Sequence, residues 1–279
     1  MSHITFTNSL ITPQFLAENL VAENLVILDA SMKPVTPVGE PVVDVYIPNS
    51  LRFDYDNEIK DHNTSLPHMM PTPEFFTEEM QKLGIRKDSA IVVYDNVGVY
   101  ASPRAWWMFR AMGHDNVAVL DGGLPAWIKA GYETTATLAT PTSRGDFASN
   151  PRPELFVDSQ AVTHALSDSA FSVVDARSAG RFTGQEKEPR AGLRGGHMPG
   201  AINLPFAETQ TNGVMKSPAL LREMFKEYQN KKLIFSCGTG VTACIVALAA
   251  EQAGHKNLAV YDGSWTEWGA VDSGLPVVK

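Results

Sequence analysis

The stretch "LIFSCGTGVTACIVALAAEQAG", residues 233–254, contains an apolar run, a cysteine, a short glycine-containing loop and an alanine-rich segment. This order is typical of a buried strand that leads through a tight loop into a helix. In open α/β sheets, binding and catalytic sites lie where the strands end. The stretch therefore predicts an α/β fold with a candidate site at Cys237.

The same pattern occurs twice in the chain, which indicates a duplication. "IVVYDNVGVYASPRA" at residues 91–105 aligns with "LIFSCGTGVTACIVA" at residues 233–247. Further on, "GHDNVAVLDGGLPAW" at residues 113–127 aligns with "GHKNLAVYDGSWTEW" at residues 254–268. Short Val/Ile/Leu runs alternate with amphipathic segments in each half, a pattern that favours a mainly parallel sheet flanked by helices.

Between the two halves lies "TPTSRGDFASNPRPE", a segment rich in Pro, Ser and Gly that has no hydrophobic periodicity. Such a composition is typical of a connecting segment. We therefore predict two tandem α/β domains, at residues 1–139 and 155–279, joined by a linker at residues 140–154.

Composition limits the class of partner and the compartment. With 44% hydrophobic and 19% charged residues in a chain of 279, the protein has the composition of a globular domain. Its net charge of -8 argues against nucleic acid or an acidic membrane as a partner. No apolar run approaches the roughly 18 residues of a membrane span, and the start resembles no targeting signal. We therefore expect a cytoplasmic protein whose two cysteines are thiols.

Cys237 is a candidate nucleophile because it precedes a predicted helix. A helix N-terminus and inward-facing backbone N–H groups stabilise an anion, and the thiolate is the reactive form of cysteine. The first half carries Asp95 at the equivalent position, so the fold does not require an apolar side chain there. Cys244, opposite Ser102 of the first half, lies inside the predicted helix and is expected to pack in the core.

Two other kinds of site have sequence patterns that partly match the loop after Cys237. Gly238, Gly240 and Ala243 match the G-x-G-x-x-A pattern of dinucleotide-binding loops, with Asp262 at the ribose position. The first half has Asn96 in place of the first glycine, which weakens this match. Cysteine phosphatases need an arginine six residues after the cysteine, where this chain has Ala243. Both alternatives are therefore disfavoured.

Four arginines lie between residues 177 and 194, interspersed with Glu186 and Glu188. Composition alone predicts that Arg177, Arg181, Arg190 and Arg194 form a solvated basic face, and with the two glutamates among them we expect this for two of the four. The neighbouring glycines also make a loop that is able to fold over a small acid.

The motifs "LVILDASM", "ASPRAWWMFRAMGH", "LDGGLPAW", "RGGHMPGAINLPF" and "YDGSWTEW" resemble the two-domain sulfurtransferases of the rhodanese superfamily over nearly the whole chain. The C-G-T-G-V-T-A loop is similar to that of the 3-mercaptopyruvate branch. This resemblance implies two tandem rhodanese-like domains, of which the first is catalytically silent. Asp95 in place of cysteine agrees with that implication.

The resemblance also implies roles for particular residues. Cys237 would carry sulfur as a persulfide, and Arg181 and Arg190 would bind the substrate. A Ser–His–Asp relay of the 3-mercaptopyruvate branch falls on Thr239, His68 and Asp56, with Thr in place of Ser. Thr keeps the hydroxyl but is stiffer about χ1. The loop residues that would hold the sulfur anion and the substrate are Gly238, Gly240, Val241 and Thr242.

By resemblance, the expected reaction moves sulfur from 3-mercaptopyruvate to the Cys237 persulfide and on to a thiol acceptor such as thioredoxin, or to cyanide, with release of pyruvate. No metal or organic cofactor is implied. Two alternatives remain open, namely a thiosulfate sulfurtransferase and a non-catalytic persulfide carrier or binding module.

Overall fold

A computed structural model describes residues 2–35 and 38–279. The chain divides into two compact units. Unit 1 contains residues 2–35, 38–61, 70–152 and 212–215, and unit 2 contains residues 62–69, 153–211 and 216–279.

Unit 1 is a five-stranded parallel sheet with helices. The strand order is β1-β5-β4-β2-β3. The strands are β1 (Leu10–Ile11), β2 (Leu25–Asp29), β3 (Leu51–Arg52), β4 (Ala90–Tyr94) and β5 (Val117–Leu120). The helices are α1 (Pro13–Glu18), α2 (Pro73–Lys82), α3 (Ser102–Ala111) and α4 (Gly123–Lys129).

Unit 2 repeats this sheet, with the order β6-β12-β11-β7-β8 and all pairs parallel. Its strands are β6 (Phe156–Val157), β7 (Phe171–Asp175), β8 (Ile202–Asn203), β11 (Lys232–Ser236) and β12 (Leu258–Tyr261). The helices are α5 (Ser159–Ala165), α6 (Ala179–Phe182), α7 (Pro218–Phe225), α8 (Thr242–Gln252) and α9 (Ser264–Trp268). Short 3₁₀ turns occur at Pro153–Leu155, Phe206–Thr209 and Lys226–Tyr228, and the two-residue strand β9 (Gln210–Thr211) follows the second of them. The next strand, β10 (Val214–Met215), lies in the segment grouped with unit 1.

The matching strand orders confirm the predicted α/β fold and its duplication. Strand β4 of unit 1 is buried along its whole length, as is most of β11, its counterpart in unit 2. Both therefore read as continuous apolar runs, which is typical of central parallel strands covered on both faces. Their carboxyl ends lead into α3 and α8, so the loops that contain Asp95 and Cys237 occupy equivalent places.

Helix starts are formed by capping side chains that the sequence supplies. The Thr72 hydroxyl accepts a hydrogen bond from the Phe75 N–H at the start of α2, and Pro73 follows as the first helical residue. Ser217 and Pro218 repeat this arrangement at α7. An N-cap oxygen satisfies a backbone donor that the helix leaves open, and proline at the first helical position loses no hydrogen bond.

The observed units differ from the predicted boundaries at the linker. Residues 140–152 belong to unit 1, where the Gly145, Phe147 and Asn150 N–H groups donate to Gln81, Ile85 and Met112 carbonyls, respectively. Phe147 is 1% exposed and packs against aromatic rings of unit 1. One phenylalanine among polar residues gives no periodic signal, so the sequence alone predicts a linker here.

Two short segments are also grouped with the other half of the chain. Residues 62–69 belong to unit 2, and residues 212–215 belong to unit 1. The two segments occupy similar places in the sequence. Residues 62–69 lie between the edge strand β3 and helix α2, and residues 212–215 lie between the edge strand β8 and helix α7. Within unit 1, the Val99 N–H donates to the Gly213 carbonyl, and the Met215 N–H donates to Asp121.

Candidate active site

Cys237 lies directly after β11 and is 1% exposed. Its backbone is held by the N-terminal turn of α9. The Cys237 N–H donates to the Ser264 hydroxyl at 3.1 Å, and the Cys237 carbonyl accepts from the Trp265 N–H at 2.9 Å. The next carbonyl, of Gly238, accepts from the Thr266 N–H at 2.9 Å. These bonds fix the loop that carries the candidate nucleophile.

Ser264 adopts a left-handed backbone conformation, with φ of 48°, that side chains other than glycine rarely adopt. Its hydroxyl donates to the Tyr261 carbonyl at 2.8 Å and so presents an oxygen lone pair to the Cys237 N–H. Sequence reasoning did not select Ser264. The signal was present in the repeat, because the aligned residue of unit 1 is Gly123, with φ of 55°.

The rest of the loop turns towards α8. Gly240 has φ of 73°, and Thr239 is 6% exposed. Thr242 begins α8, directly after Val241. Cys244 is fully buried in the first turns of this helix, where its thiol donates to the Gly240 carbonyl at 3.2 Å, in agreement with the packing role expected for it.

The equivalent loop of unit 1 surrounds an acidic side chain. Asp95 is fully buried, and its two carboxyl oxygens together accept five backbone hydrogen bonds of 2.9–3.1 Å and one from the Ser102 hydroxyl at 2.7 Å. Burial raises the pKa of Asp95, and the donated hydrogen bonds act in the opposite direction. The backbone donors are the N–H groups of Val97, Gly98, Tyr100, Ala101 and Ser102.

This convergence of N–H groups is the arrangement that binds an anion. The aligned positions in unit 2 are Thr239, Gly240, Thr242, Ala243 and Cys244. The loops differ at the last of these, because the Cys244 N–H donates to the Val241 carbonyl. The rest of the repeat provides Cys237 with the same set of candidate donors.

Two of the four arginines lie in a buried charge network rather than on the predicted solvated face. Arg177 is 1% exposed, and its Nη2 contacts Asp175 at 2.6 Å while its Nη1 contacts Glu188 at 2.7 Å. The other Glu188 oxygen contacts Arg181 Nη2 at 2.5 Å. Burial lowers the pKa of Arg177, but the charges of the two carboxylates outweigh it and the pKa is raised.

The two remaining arginines have different surroundings. Arg194 donates to the Trp268 carbonyl at 2.8 Å and the Ser273 hydroxyl at 2.9 Å, which anchors the end of α9. Arg190 is half-buried. Within residues 2–35 and 38–279, its guanidinium makes no ion pair. Of the four arginines, Arg190 is therefore the one whose guanidinium has no partner among the described residues and stays available for a ligand.

His68 and Asp56 fall in different units. His68 lies in the segment grouped with unit 2, is 3% exposed and has a left-handed φ of 62°. Non-glycine residues in this conformation are uncommon and concentrate at functional sites. Asp56 belongs to unit 1, in a turn organised by Asp54, whose carboxylate accepts from the Asp56 N–H at 3.1 Å.

A family model described as rhodanese-like domain matches residues 12–130 and 159–271. The chain belongs to the rhodanese-like family. It is 37% identical over 273 residues to the 3-mercaptopyruvate sulfurtransferase of Mus musculus, covering 93% of this chain and 91% of the mouse protein. It is 38% identical over 272 residues to the thiosulfate sulfurtransferase of Gallus gallus, covering 93% of each chain.

Solved structures also resemble this rhodanese-like chain. The 3-mercaptopyruvate sulfotransferase SseA of Escherichia coli matches it with a TM-score of 0.81 and 33% identity. The match covers 93% of this chain and 99% of SseA. Each rhodanese-like domain matched by the family model falls on one of the two sheets described above.

Among the residues that the structure describes, no group of three or more His, Cys, Asp or Glu side chains is placed to hold a metal ion. No helix in the described ranges has both the length and the apolar character needed to cross a bilayer.

Proposed function

We propose that this protein is a sulfurtransferase that takes sulfur from 3-mercaptopyruvate onto Cys237 as a persulfide and passes it to a nucleophilic acceptor. One observation carries the proposal. Cys237 occupies the position at which unit 1 holds the Asp95 carboxylate with five backbone N–H groups. A loop built to bind an anion stabilises both the attacking thiolate and the persulfide anion.

In the proposed first step, the Cys237 thiolate attacks the sulfur of 3-mercaptopyruvate. A sulfur–sulfur bond forms and the carbon–sulfur bond breaks, with its electron pair going to the enolate of pyruvate. The proton of the substrate thiol is transferred to that enolate, so that pyruvate leaves and the persulfide anion remains. In the second step the acceptor attacks the outer sulfur, and the Cys237 thiolate is restored.

The proposed roles of the arginines follow from their charge environment. Arg190, which makes no ion pair with described residues, would bind the substrate carboxylate. Arg181 lies beside the nucleophile loop, where its Nη2 is 3.3 Å from the position that a Cβ of Gly238 would occupy. Its planar guanidinium would donate to the keto oxygen and stabilise the enolate as charge develops there.

We also propose that Thr239 moves the substrate thiol proton, assisted by His68 and Asp56. The near-complete burial of Thr239 and His68 supports this role, because exclusion of water strengthens proton transfer between positioned groups. The left-handed backbone of His68 is further support, since it is a strained conformation that packing must hold in place. Backbone N–H groups of Gly238, Gly240, Val241 and Thr242 would complete the binding of sulfur and substrate.

The second candidate donor is thiosulfate. It is favoured by the 38% identity to the thiosulfate sulfurtransferase of Gallus gallus. The neutral pair Gly238 and Thr239 argues for 3-mercaptopyruvate, since a dianion at this position would gain from cationic side chains there.

For the acceptor we propose a small or protein thiol such as thioredoxin, with cyanide as a substitute in an assay. We further propose a reducing compartment such as the cytoplasm. Both cysteines are thiols in the structure, and the Cys237 thiol must remain reduced for the reaction.

The decisive experiment incubates the protein with 3-mercaptopyruvate in the absence of an acceptor. We expect one pyruvate per chain and the added mass of one sulfur atom on the peptide that contains Cys237. Cys237→Ser should give neither product. Cys244→Ser is the matched control, because serine already occupies the aligned position in unit 1, and it should retain both products. A wild-type protein that forms a Cys237 persulfide with neither 3-mercaptopyruvate nor thiosulfate would favour a binding module over an enzyme.

A further inference from the structure

Glu188 connects two arginines of unit 2 and is almost completely buried. The side chain is 1% exposed, with Oε1 at 2.7 Å from Arg177 Nη1 and Oε2 at 2.5 Å from Arg181 Nη2. Asp175 neutralises the far side of Arg177. The four side chains together carry two positive and two negative charges, so the cluster as a whole is neutral.

This cluster touches the nucleophile loop at two points. Arg177 lies over the indole ring of Trp265, 4.0 Å from the ring centroid. The backbone N–H of Trp265 donates to the Cys237 carbonyl at 2.9 Å. On the other side, Arg181 lies against Gly238, with 3.3 Å between its Nη2 and the position of an added Cβ. Arg181 is thus held between Glu188 and the loop that carries the nucleophile.

We propose that Glu188 is a positioning residue that fixes Arg181 beside the loop and, by cancelling its charge, selects a donor with a single full negative charge. This inference rests on the proposed function. An arginine that lacks such a partner loses its orientation and keeps its full charge, which attracts a dianion. With Glu188 in place, Arg190 is the one of the four arginines whose guanidinium has no partner among the described residues, and its single charge matches one carboxylate.

The test is Glu188→Gln, which keeps the shape and removes the charge. We expect kcat/KM for 3-mercaptopyruvate to fall about tenfold, as when one charge-assisted hydrogen bond is weakened, through a higher KM and a lower kcat. The ratio of thiosulfate to 3-mercaptopyruvate activity should rise by about tenfold, since the cluster gains a net positive charge. A merely structural role would lower both activities together and leave this ratio unchanged.

Glu186→Gln is the matched control, because Glu186 lies two positions away on the same segment, is exposed and binds the Ser178 hydroxyl at 2.8 Å. It should leave the donor ratio at the wild-type value. The double variant Glu188→Gln/Arg181→Gln should have the same kcat/KM for 3-mercaptopyruvate as Arg181→Gln alone, because Glu188 acts through Arg181. Full additivity in this cycle, or an unchanged donor ratio in Glu188→Gln, would overturn the proposal.

Glu188→Asp serves as a second variant if the glutamine variant does not fold. It retains the charge but shortens the reach by one methylene, so KM for 3-mercaptopyruvate should rise while the donor ratio stays near the wild-type value. An unchanged KM in Glu188→Asp would also overturn the proposal. Failure of the wild-type protein to form a persulfide from 3-mercaptopyruvate would instead overturn the proposed function itself.

Discussion

The Cys237 N–H donates to the Ser264 hydroxyl, at a position where unit 1 carries Gly123. Ser264 keeps the left-handed backbone of that glycine, with φ of 48° against 55°. A non-glycine residue in this region costs about 1–2 kcal/mol. Unit 2 therefore retains a strained residue whose hydroxyl satisfies the amide of the candidate nucleophile.

Two substitutions at Ser264 separate the strain from the hydrogen bond. Ser264→Ala keeps the strain and leaves the buried Cys237 N–H without its acceptor, so the free energy of unfolding should fall by about 1–3 kcal/mol. Ser264→Gly also loses the acceptor but removes the strain, and should be the more stable of the two variants. Both should show reduced kcat in the sulfurtransferase assay, because the loop is less well fixed. Wild-type kcat in Ser264→Gly would show that the hydroxyl does not act on Cys237.

Asp95→Ala should destabilise unit 1 without removing the chemistry. The substitution deprives five backbone N–H groups, four of them in buried hydrogen bonds, and the Ser102 hydroxyl of their acceptor, and one such orphaned buried group costs about 1–3 kcal/mol. Urea unfolding should therefore show a loss of at least about 2 kcal/mol. Because Asp95 cannot carry sulfur, kcat of the folded protein should remain within a few-fold of wild type. A large loss of kcat in folded Asp95→Ala would mean that unit 1 takes part in the reaction.

The proposed proton transfer predicts opposite results for two substitutions of Thr239. Thr239→Val preserves the shape of a side chain that is 6% exposed but removes its hydroxyl. Its kcat with 3-mercaptopyruvate should fall by about 10²-fold, the usual contribution of general acid–base catalysis. Thr239→Ser keeps the hydroxyl and should remain active. Equal turnover by the valine variant would exclude Thr239 from the mechanism.

Much of the fold could be predicted from the sequence because its signals are local. Strands β4 and β11 are continuous apolar runs, and the repeat aligns the loops that follow them. The linker could not be predicted in the same way. Its attachment to unit 1 depends on Phe147 and on backbone hydrogen bonds with distant residues. These tertiary contacts leave no periodic pattern in the segment itself.

The candidate site was predictable to a similar degree. The loop around Cys237 could be selected from its position and its repeat, while the roles of the arginines could not. In the sequence, Arg177 and Arg194 look like residues of a solvated charged face. In the structure, Arg177 is buried against carboxylates and Arg194 donates to a backbone carbonyl. Glu188 neutralises Arg181 because both side chains are brought together in a buried site. The tertiary structure determines which charges are buried, so the sequence pattern does not show this pairing.

His114 predicts a pH dependence of stability in unit 1. Burial lowers the pKa of His114 from its ordinary value of 6.5, and backbone hydrogen bonds to Ser89 and Asn116 only partly oppose this. Below about pH 6.5 the unfolded chain binds the proton more readily than the folded chain does. The stabilisation by neutral His114 is therefore complete above that pH and is lost as the pH falls towards the folded-state pKa.

The measurement is urea unfolding of wild type and His114→Gln between about pH 5 and pH 8. Glutamine does not titrate and can still donate to the Ser89 carbonyl, which His114 Nε2 contacts at 2.9 Å. The wild type should lose more stability on acidification than the variant does, because only the wild type carries the buried imidazole. His164→Gln is the control, because His164 is 72% exposed, and it should follow the wild-type curve. Parallel curves for wild type and His114→Gln would refute the assignment.

Donor preference follows from the charges around Gly238. In the structure, Glu188 cancels the charge of Arg181 beside this residue, and Arg190 keeps its own. Thiosulfate is a dianion, whereas 3-mercaptopyruvate carries one full charge on its carboxylate. A charged pair 4 Å apart contributes about 4 kcal/mol at an effective dielectric of about 20, so each cation that is missing near a dianion weakens the binding of that dianion. We expect kcat/KM for 3-mercaptopyruvate to exceed that for thiosulfate by about tenfold or more.

Two substitutions test the origin of this preference, with cyanide as the common acceptor at neutral pH. Arg190→Ala should reduce activity with 3-mercaptopyruvate more than activity with thiosulfate, because it removes the partner of the carboxylate. Replacing Gly238 and Thr239 by Arg and Lys adds two cations next to the sulfur and should shift the ratio towards thiosulfate. The side chain at position 238 must also displace Arg181, whose Nη2 lies 3.3 Å from the new Cβ, so activity with 3-mercaptopyruvate should fall as well. Equal activity of the wild type with the two donors would refute the charge argument and favour the thiosulfate assignment.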